Sequence, residues 1–161
     1  MRRLLIPVLA LLISNFVAAQ EIKKIKITEL AKTIAETKTP LIIAFWATYC
    51  MPCLEEIPYF QDEVMKHAAD SIQLLLVSLD MKDAYPTQIK ETIARVKITA
   101  PVKWLDETNA DYFCPKVDSA WSGGMPASLF INNKTGYRKF FEDKVSREKL
   151  EKEIMAILKT N

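Results

Sequence analysis

The stretch Phe45-Trp46-Ala47-Thr48-Tyr49-Cys50-Met51-Pro52-Cys53 places a Cys-x-x-Cys pair directly after an apolar run that begins at Leu41. An apolar run followed by such a pair predicts a buried strand that ends just before a helix. A thiol at the start of a helix lies near unpaired backbone N–H groups and the positive end of the helix dipole, which favours its thiolate. Two sulfurs so placed can exchange two electrons with a disulfide of another protein.

A structural disulfide and half of a zinc site are the two other interpretations of this cysteine pair. A zinc site needs two further ligands, and only Cys114 and His67 could add a sulfur or an imidazole. His67 falls on the same predicted helix as Cys53, about 20 Å along it at about 1.5 Å per residue. Three cysteines are also too few for a scaffold held by disulfides. We therefore predict redox chemistry at the pair and no metal site.

The composition indicates one ordinary domain. The chain has 161 residues, of which 50% are hydrophobic, and a net charge of +2. This is enough chain for one sizeable core. So small a charge gives no reason to expect nucleic acid or an anionic membrane as a partner. We expect a monomer without a bound cofactor.

The first residues have the pattern of an export signal. Arg2 and Arg3 form a basic start, and an apolar run then leads to the small-residue cleavage site Val17-Ala18-Ala19. A membrane anchor at residues 4–19 is the other interpretation, although about 20 apolar residues are needed to span a bilayer. We expect an exported protein, periplasmic or otherwise extracytoplasmic. The predicted division is a signal peptide at residues 1–19 and a domain at residues 20–161.

The spacing of apolar residues along the rest of the chain predicts alternating strands and helices. The predicted strands are an edge strand at 22–28, then 41–47, 72–79, a short one near 104, and a hairpin of 128–131 with 137–141. The predicted helices are 29–37, 50–68, 87–96, 109–113 and a last one that begins at the capping Ser146. This order predicts a three-layer α/β domain with the cysteine pair at the carboxyl end of a central strand.

Four motifs in this order give the chain a resemblance to a known family: Phe45-Trp46-Ala47, the cysteine pair, Glu56-Ile57-Pro58 and Gly124–Phe130. From about Leu41 to Leu158 the chain resembles thioredoxin-fold proteins, and among them the exported TlpA/ResA-like thiol-disulfide oxidoreductases. The resemblance implies a thioredoxin-like fold with a central mixed sheet flanked by helices and an N-terminal extension. The distance from Cys53 to Pro126 is longer than in a minimal thioredoxin, which predicts a central insertion at Asp80–Gly124. The resemblance implies that such an insertion sets specificity.

The pair and a nearby carboxylate receive separate roles. Cys50, first on the helix and expected to be exposed, is the predicted nucleophile, and Cys53 is the resolving thiol that attacks the mixed disulfide. Glu56 lies on the same side of the helix as Cys53, so a partly buried carboxylate there can take or return the proton of that thiol. Glu55 is expected to face water. The resemblance also implies a glutamate at this place, whereas the buried aspartate of thioredoxin falls at Ala44.

The resemblance further implies a cis-proline at Pro126 that faces the pair and leaves the Met125 backbone free for strand-like pairing with a substrate. A trans proline that opens a strand is the alternative. Trp46 and Tyr49 flank the pair and are the other predicted substrate-binding residues. Trp46 is expected to pack beside the pair, and Tyr49 to line the contact surface. Cys114 has no evident mate; we expect a buried spectator, with a third redox thiol or an intermolecular link as alternatives.

The residues between the cysteines bear on the direction of electron flow. Strong oxidants stabilise their thiolate, and Met51 and Pro52 offer no histidine for that purpose. We therefore predict a reductase of disulfides in exported proteins, and the resemblance implies an external membrane electron carrier as its donor. The resemblance adds the haem-site cysteines of apocytochrome c as a substrate class. A disulfide oxidase or isomerase, a copper-handling binding protein, a peroxidase and a non-catalytic module are the alternatives.

Overall fold

The computed structural model describes residues 21–159, and the predicted signal peptide and anchor lie outside them. The strands are β1 (Lys23–Ile25), β2 (Leu41–Trp46), β3 (Gln73–Ser78), β4 (Val102–Leu105), β5 (Ala127–Asn132) and β6 (Tyr137–Phe141). The α-helices are α1 (Ile27–Glu36), α2 (Met51–Lys66), α3 (Thr87–Val96), α4 (Ala110–Val117) and α5 (Arg147–Leu158). Two short 3-10 helices cover Ala68–Asp70 and Lys82–Ala84.

The strands form one mixed sheet in the order β1-β4-β3-β2-β5-β6. The first four strands of that order run parallel to one another, whereas β5 is antiparallel to both β2 and β6. Every residue of β2 is buried, as expected for a central strand covered on both faces. The carboxyl ends of β2 and β3 therefore meet at one edge of the sheet, where the cysteine motif begins.

Alternate side chains of β2 enter two separate core clusters, one on each face of the sheet. Ile42, Ala44 and Trp46 pack with residues of α2, α3 and α5. The remaining residues of β2 pack with residues of α1 and α4. Helices thus cover both faces, which confirms the predicted three-layer α/β arrangement.

Two predicted elements differ in their bounds from those of the structure. The strand predicted at 22–28 ends at Ile25, because Lys26 is already the N-cap of α1 and its backbone N–H donates to the Glu29 carboxylate at 3.1 Å. The short helix predicted at 109–113 extends to Val117. The last helix begins where predicted, with the Ser146 hydroxyl accepting from the backbone N–H of Lys149.

The region predicted as an insertion, Asp80–Gly124, adds to the sheet itself, since its strand β4 lies between β1 and β3. Helices α3 and α4 flank this strand in sequence and pack on opposite faces. Among residues 21–159, no helix combines the length and the apolar character that crossing a membrane requires.

Candidate active site

The two cysteines lie where β2 gives way to α2. Cys50 is the N-cap of α2 and forms a disulfide with Cys53, with the two Cα atoms 5.3 Å apart. The Cys50 N–H donates to the Ala47 carbonyl at 3.0 Å, and the Cys50 carbonyl accepts from Leu54 at 3.1 Å. The Cys50 sulfur is therefore held at the amino end of a sixteen-residue helix, where the unpaired N–H groups and the helix dipole stabilise negative charge.

The exposure of Cys50 corrects one sequence expectation. Cys50 is only 7% exposed and Cys53 is 1% exposed, so Cys50 is the more accessible member of the pair but still a buried residue. The reason is that both sulfurs pack into the core cluster on the α2 face of the sheet. Its neighbours Tyr49 and Met51 are 66% and 61% exposed and form the surface around the pair. The sequence did not indicate that Met51 forms part of this surface.

The segment before β5 reaches the same end of the sheet. The Met125–Pro126 bond is cis, as the resemblance implied. Phe45 pairs with Ala127, so Pro126 lies beside the end of β2. Met125 is partly buried against the cluster that contains both cysteines. Trp46 belongs to that cluster too and is 0% exposed. Its ring therefore packs beside the pair, as expected, and a predicted role in substrate binding can act only through packing.

Glu56 is buried near Cys53, the thiol predicted to resolve the mixed disulfide. Its side chain is 2% exposed and lies one helical turn after Cys53. Its Oε2 atom accepts a hydrogen bond from the Val145 N–H at 3.2 Å. Burial raises the pKa of Glu56 from 4.5 to about 7, and this outweighs the opposing effects of the Val145 N–H and the Lys144 charge. A carboxyl with this pKa can both accept and return a proton near neutral pH.

The segment around Val145 covers Glu56. The Val145 carbonyl accepts from the Tyr59 hydroxyl at 2.6 Å, so both polar backbone groups of Val145 are bonded to α2. Burial and, second, the charge of Glu56 raise the pKa of Tyr59 to about 12. Glu55 forms an ion pair with Lys144 at 2.5 Å, and its side chain is 59% exposed, as the helix geometry predicted.

Asp80 supports the residues just before Cys50. Its carboxylate accepts from the Thr48 N–H at 3.0 and 3.1 Å, from the Thr48 hydroxyl at 2.6 Å and from the Ser78 hydroxyl at 2.8 Å. The Asp80 carbonyl accepts from Trp104 Nε1 at 2.7 Å. This carboxylate is 3% exposed and joins the loop after β2 to the end of β3. Sequence reasoning missed it, although a charged residue directly after a buried strand was the available signal.

Replacing Asp80 with alanine is expected to lower the free energy of unfolding by about 2 kcal/mol, because buried donors of Thr48 and Ser78 lose their acceptor. Urea unfolding of the oxidised protein measures this change. Asp83→Ala, at an exposed position three residues away in the chain, is the matched control and should change stability by less than about 0.5 kcal/mol. Equal effects of the two substitutions would contradict a supporting role for Asp80.

Glu142 makes a comparable set of contacts to the segment before Pro126. Its carboxylate accepts from the backbone N–H groups of Ser122 and Gly124 and from the Ser122 hydroxyl. Nothing in the sequence pattern marked this residue, since it follows a strand whose side chains are not fully buried.

The remaining cysteine and the histidine lie apart from the pair. Cys114 is 2% exposed and belongs to the core cluster on the other face of the sheet from Cys50 and Cys53. Burial raises the pKa of Cys114 to about 11, so its thiol is a poor nucleophile at neutral pH. His67 is the C-cap at the far end of α2, and its Nδ1 atom lies 3.2 Å from Asp70 Oδ2. Within residues 21–159, no group of three or more potential ligands could hold a metal ion.

Comparison with known proteins adds sequence and fold relatives. The model of the AhpC/TSA family matches residues 13–134. Sporulation thiol-disulfide oxidoreductase A of Bacillus subtilis is 33% identical over 61 residues, which are 38% of this chain and 37% of that protein. Thiol-disulfide oxidoreductase ResA of Oceanobacillus iheyensis is 27% identical over 111 residues, 69% of this chain and 53% of that protein. The chain thus spans about a third to about half of the length of these relatives.

The fold comparison agrees with the sheet described above. A thioredoxin-related protein from Neisseria meningitidis serogroup B superposes with a TM-score of 0.61 at 22% identity, over 76% of this chain and 85% of that one. This likeness confirms the thioredoxin-like fold that the sequence motifs predicted.

Proposed function

The chain belongs to the AhpC/TSA family, and from this membership and the geometry of the cysteine pair we propose that it is a thiol-disulfide oxidoreductase that reduces disulfides of other proteins. The observation that carries the proposal is the Cys50–Cys53 disulfide at the amino end of α2. The buried carboxyl of Glu56 lies one turn further along the same helix. The sulfurs supply the redox couple, and the carboxyl supplies a proton acceptor.

The proposed reaction consists of two sulfur exchanges. The Cys50 thiolate of the reduced protein attacks one sulfur of the substrate disulfide, a Cys50–substrate bond forms, and the other substrate sulfur leaves as a thiolate. Cys53 then gives its proton to Glu56 and attacks the Cys50 sulfur, so that the second substrate thiolate leaves. The substrate has gained two electrons, and the protein ends as the Cys50–Cys53 disulfide. An external dithiol donor returns the two electrons.

The contact surface in this proposal consists of Tyr49, Met51 and Met125. The first two side chains are largely exposed beside the pair, and Met125 precedes the buried Pro126. An extended substrate segment can pair with the Met125 backbone as an added strand, which brings its disulfide to Cys50. Trp46 supports this surface as a buried member of the core cluster that contains both cysteines.

The proposed setting is outside the cytoplasm, where oxidised protein substrates persist. The basic start and apolar run of the first twenty residues support export. Reduction of haem-site cysteines in apocytochrome c is the specific substrate role that the TlpA/ResA-like resemblance favours, with a membrane electron carrier as donor and the protein acting as a monomer.

Reduction of insulin by dithiothreitol tests the proposed activity. We expect the wild-type protein to shorten the lag before insulin B chain precipitates, because the pair transfers electrons faster than dithiothreitol alone. Protein alkylated at its reduced thiols is the control and should leave the lag unchanged. A wild-type lag equal to that of dithiothreitol alone would refute the proposal.

A further inference from the structure

We infer that Glu142 is a positioning residue that holds Ser122–Gly124 in place, so that the Met125 backbone is presented to a polypeptide that carries the target disulfide. Glu142 thereby sets a preference for disulfides within polypeptides over small disulfides. The inference rests on the proposed function and specifies how substrates are selected at the same site.

The first observation is the number of donors that converge on one carboxylate. Glu142 Oε1 accepts from the Gly124 N–H at 2.6 Å and from the Ser122 hydroxyl at 2.5 Å. The Ser122 N–H donates to the two carboxylate oxygens at 3.1 and 2.9 Å. These contacts, the Ser122 hydroxyl first, hold the pKa of Glu142 below its ordinary value. Hydrogen bonds to an ionised acceptor are about twice as strong as neutral ones, so the segment is firmly attached to the end of β6.

The second observation is that the same segment is fixed from its other side. Trp121 Nε1 donates to the Gly124 carbonyl at 2.9 Å. The Trp121 ring is 4% exposed and contacts three aromatic rings of the core, those of Phe45, Phe113 and Phe140. Both polar backbone groups of Gly124 are therefore bonded to side chains. These two hydrogen bonds fix the direction in which the backbone leads into Met125.

The third observation is the fit of Glu142 against Gly124. A Cβ atom built on Gly124 would lie 2.8 Å from Glu142 Oε1, closer than unstrained atoms approach. The obstructing atom is the end of a flexible side chain, so Gly124→Ala displaces the carboxylate and does not press on backbone atoms. This substitution is thus a second way to remove the contact without changing Glu142.

The link to substrate class follows from what each substrate touches. A polypeptide can pair with Met125 only if the backbone N–H and C=O groups there point in fixed directions. If the residues before Met125 are disordered, ordering them on binding costs free energy and weakens the affinity. A small disulfide needs only access to the Cys50 sulfur. Loosening Ser122–Gly124 should therefore weaken polypeptide binding and leave attack on a small disulfide unchanged.

The experiment compares Glu142→Gln with the wild-type protein on insulin and on 2-hydroxyethyl disulfide. We expect KM for insulin to rise about tenfold with kcat nearly unchanged, and kcat/KM for 2-hydroxyethyl disulfide to stay within about twofold. Glu148→Gln is the matched control, since Glu148 is exposed and pairs with Lys152 on α5. Gly124→Ala should raise KM for insulin in the same selective way. Glu142→Asp, which keeps the carboxylate, should raise it less than Glu142→Gln does.

Two results would overturn the inference while leaving the proposed function intact. One is an unchanged KM for insulin in both Glu142→Gln and Gly124→Ala. The other is an equal loss on both substrates, which would show that Glu142 supports the whole site without selecting substrates. A wild-type protein that reduces neither substrate is a different result and refutes the proposed function itself.

Discussion

Replacing Cys50 with serine is expected to reduce the rate of insulin reduction below about one thousandth of the wild-type rate, because a hydroxyl forms neither the thiolate nor the mixed disulfide. The measurement is the initial rate of insulin reduction with dithiothreitol as donor, after subtraction of the uncatalysed rate. Cys114→Ala is the matched control, since it also removes a buried thiol but on the other face of the sheet. Its rate should stay within about twofold of wild type.

The same assay can test which cysteine is the nucleophile and which is the resolving thiol. Cys53→Ser keeps the predicted nucleophile and removes the resolving thiol, so a mixed disulfide between Cys50 and the substrate should accumulate. Mass spectrometry of the unreduced protein detects this adduct. An adduct that forms in Cys50→Ser and not in Cys53→Ser would reverse the assignment of the two cysteines.

Replacing Glu56 with glutamine is expected to remove a pH-dependent loss of stability of about 3 kcal/mol. The pKa of Glu56 is about 7 in the folded protein against an ordinary value of 4.5, so the folded state binds this proton more tightly than the unfolded chain. The free energy of unfolding therefore falls as pH rises from about 4.5 to about 7 and is lowest above that range. Glutamine stays neutral, so the variant lacks this decline.

Urea unfolding of the oxidised protein at pH 4 and pH 8 measures the effect. The difference between the two pH values should shrink in Glu56→Gln relative to wild type, whereas Glu55→Gln, at the exposed neighbouring position, should leave it unchanged. The reaction should change as well: decay of the mixed disulfide is expected to slow by about a hundredfold without the proton acceptor. Identical stability profiles and decay rates would contradict the role of Glu56.

The features that the sequence predicted depend on local pattern. The apolar run of β2, the cysteine pair at the start of α2 and the position of Glu56 follow from strand and helix periodicity within a few residues of chain. The three-layer arrangement follows from the order of such segments. Glu56 was found for this reason, since three positions along a helix place two side chains on one side.

The features that the sequence did not predict depend on contacts between distant segments. Asp80 bonds to Thr48 across 32 positions, and Glu142 bonds to Gly124 across 18. No periodicity within one element marks such a pair. The burial of Cys50 likewise results from packing between several elements, whereas its place at a helix start indicated only its reactivity. The position of β4 between β1 and β3 is a matter of sheet order, which a strand pattern alone does not determine.

The reduction potential of the Cys50–Cys53 couple tests the proposed direction of electron flow most directly. Equilibration of the protein with dithiothreitol redox buffers, followed by thiol counting in the Cys114→Ala background, gives this value. We predict a potential near that of thioredoxin, about −270 mV, as a disulfide reductase requires. A value near about −120 mV, that of the oxidant DsbA, would contradict the account and identify an oxidase.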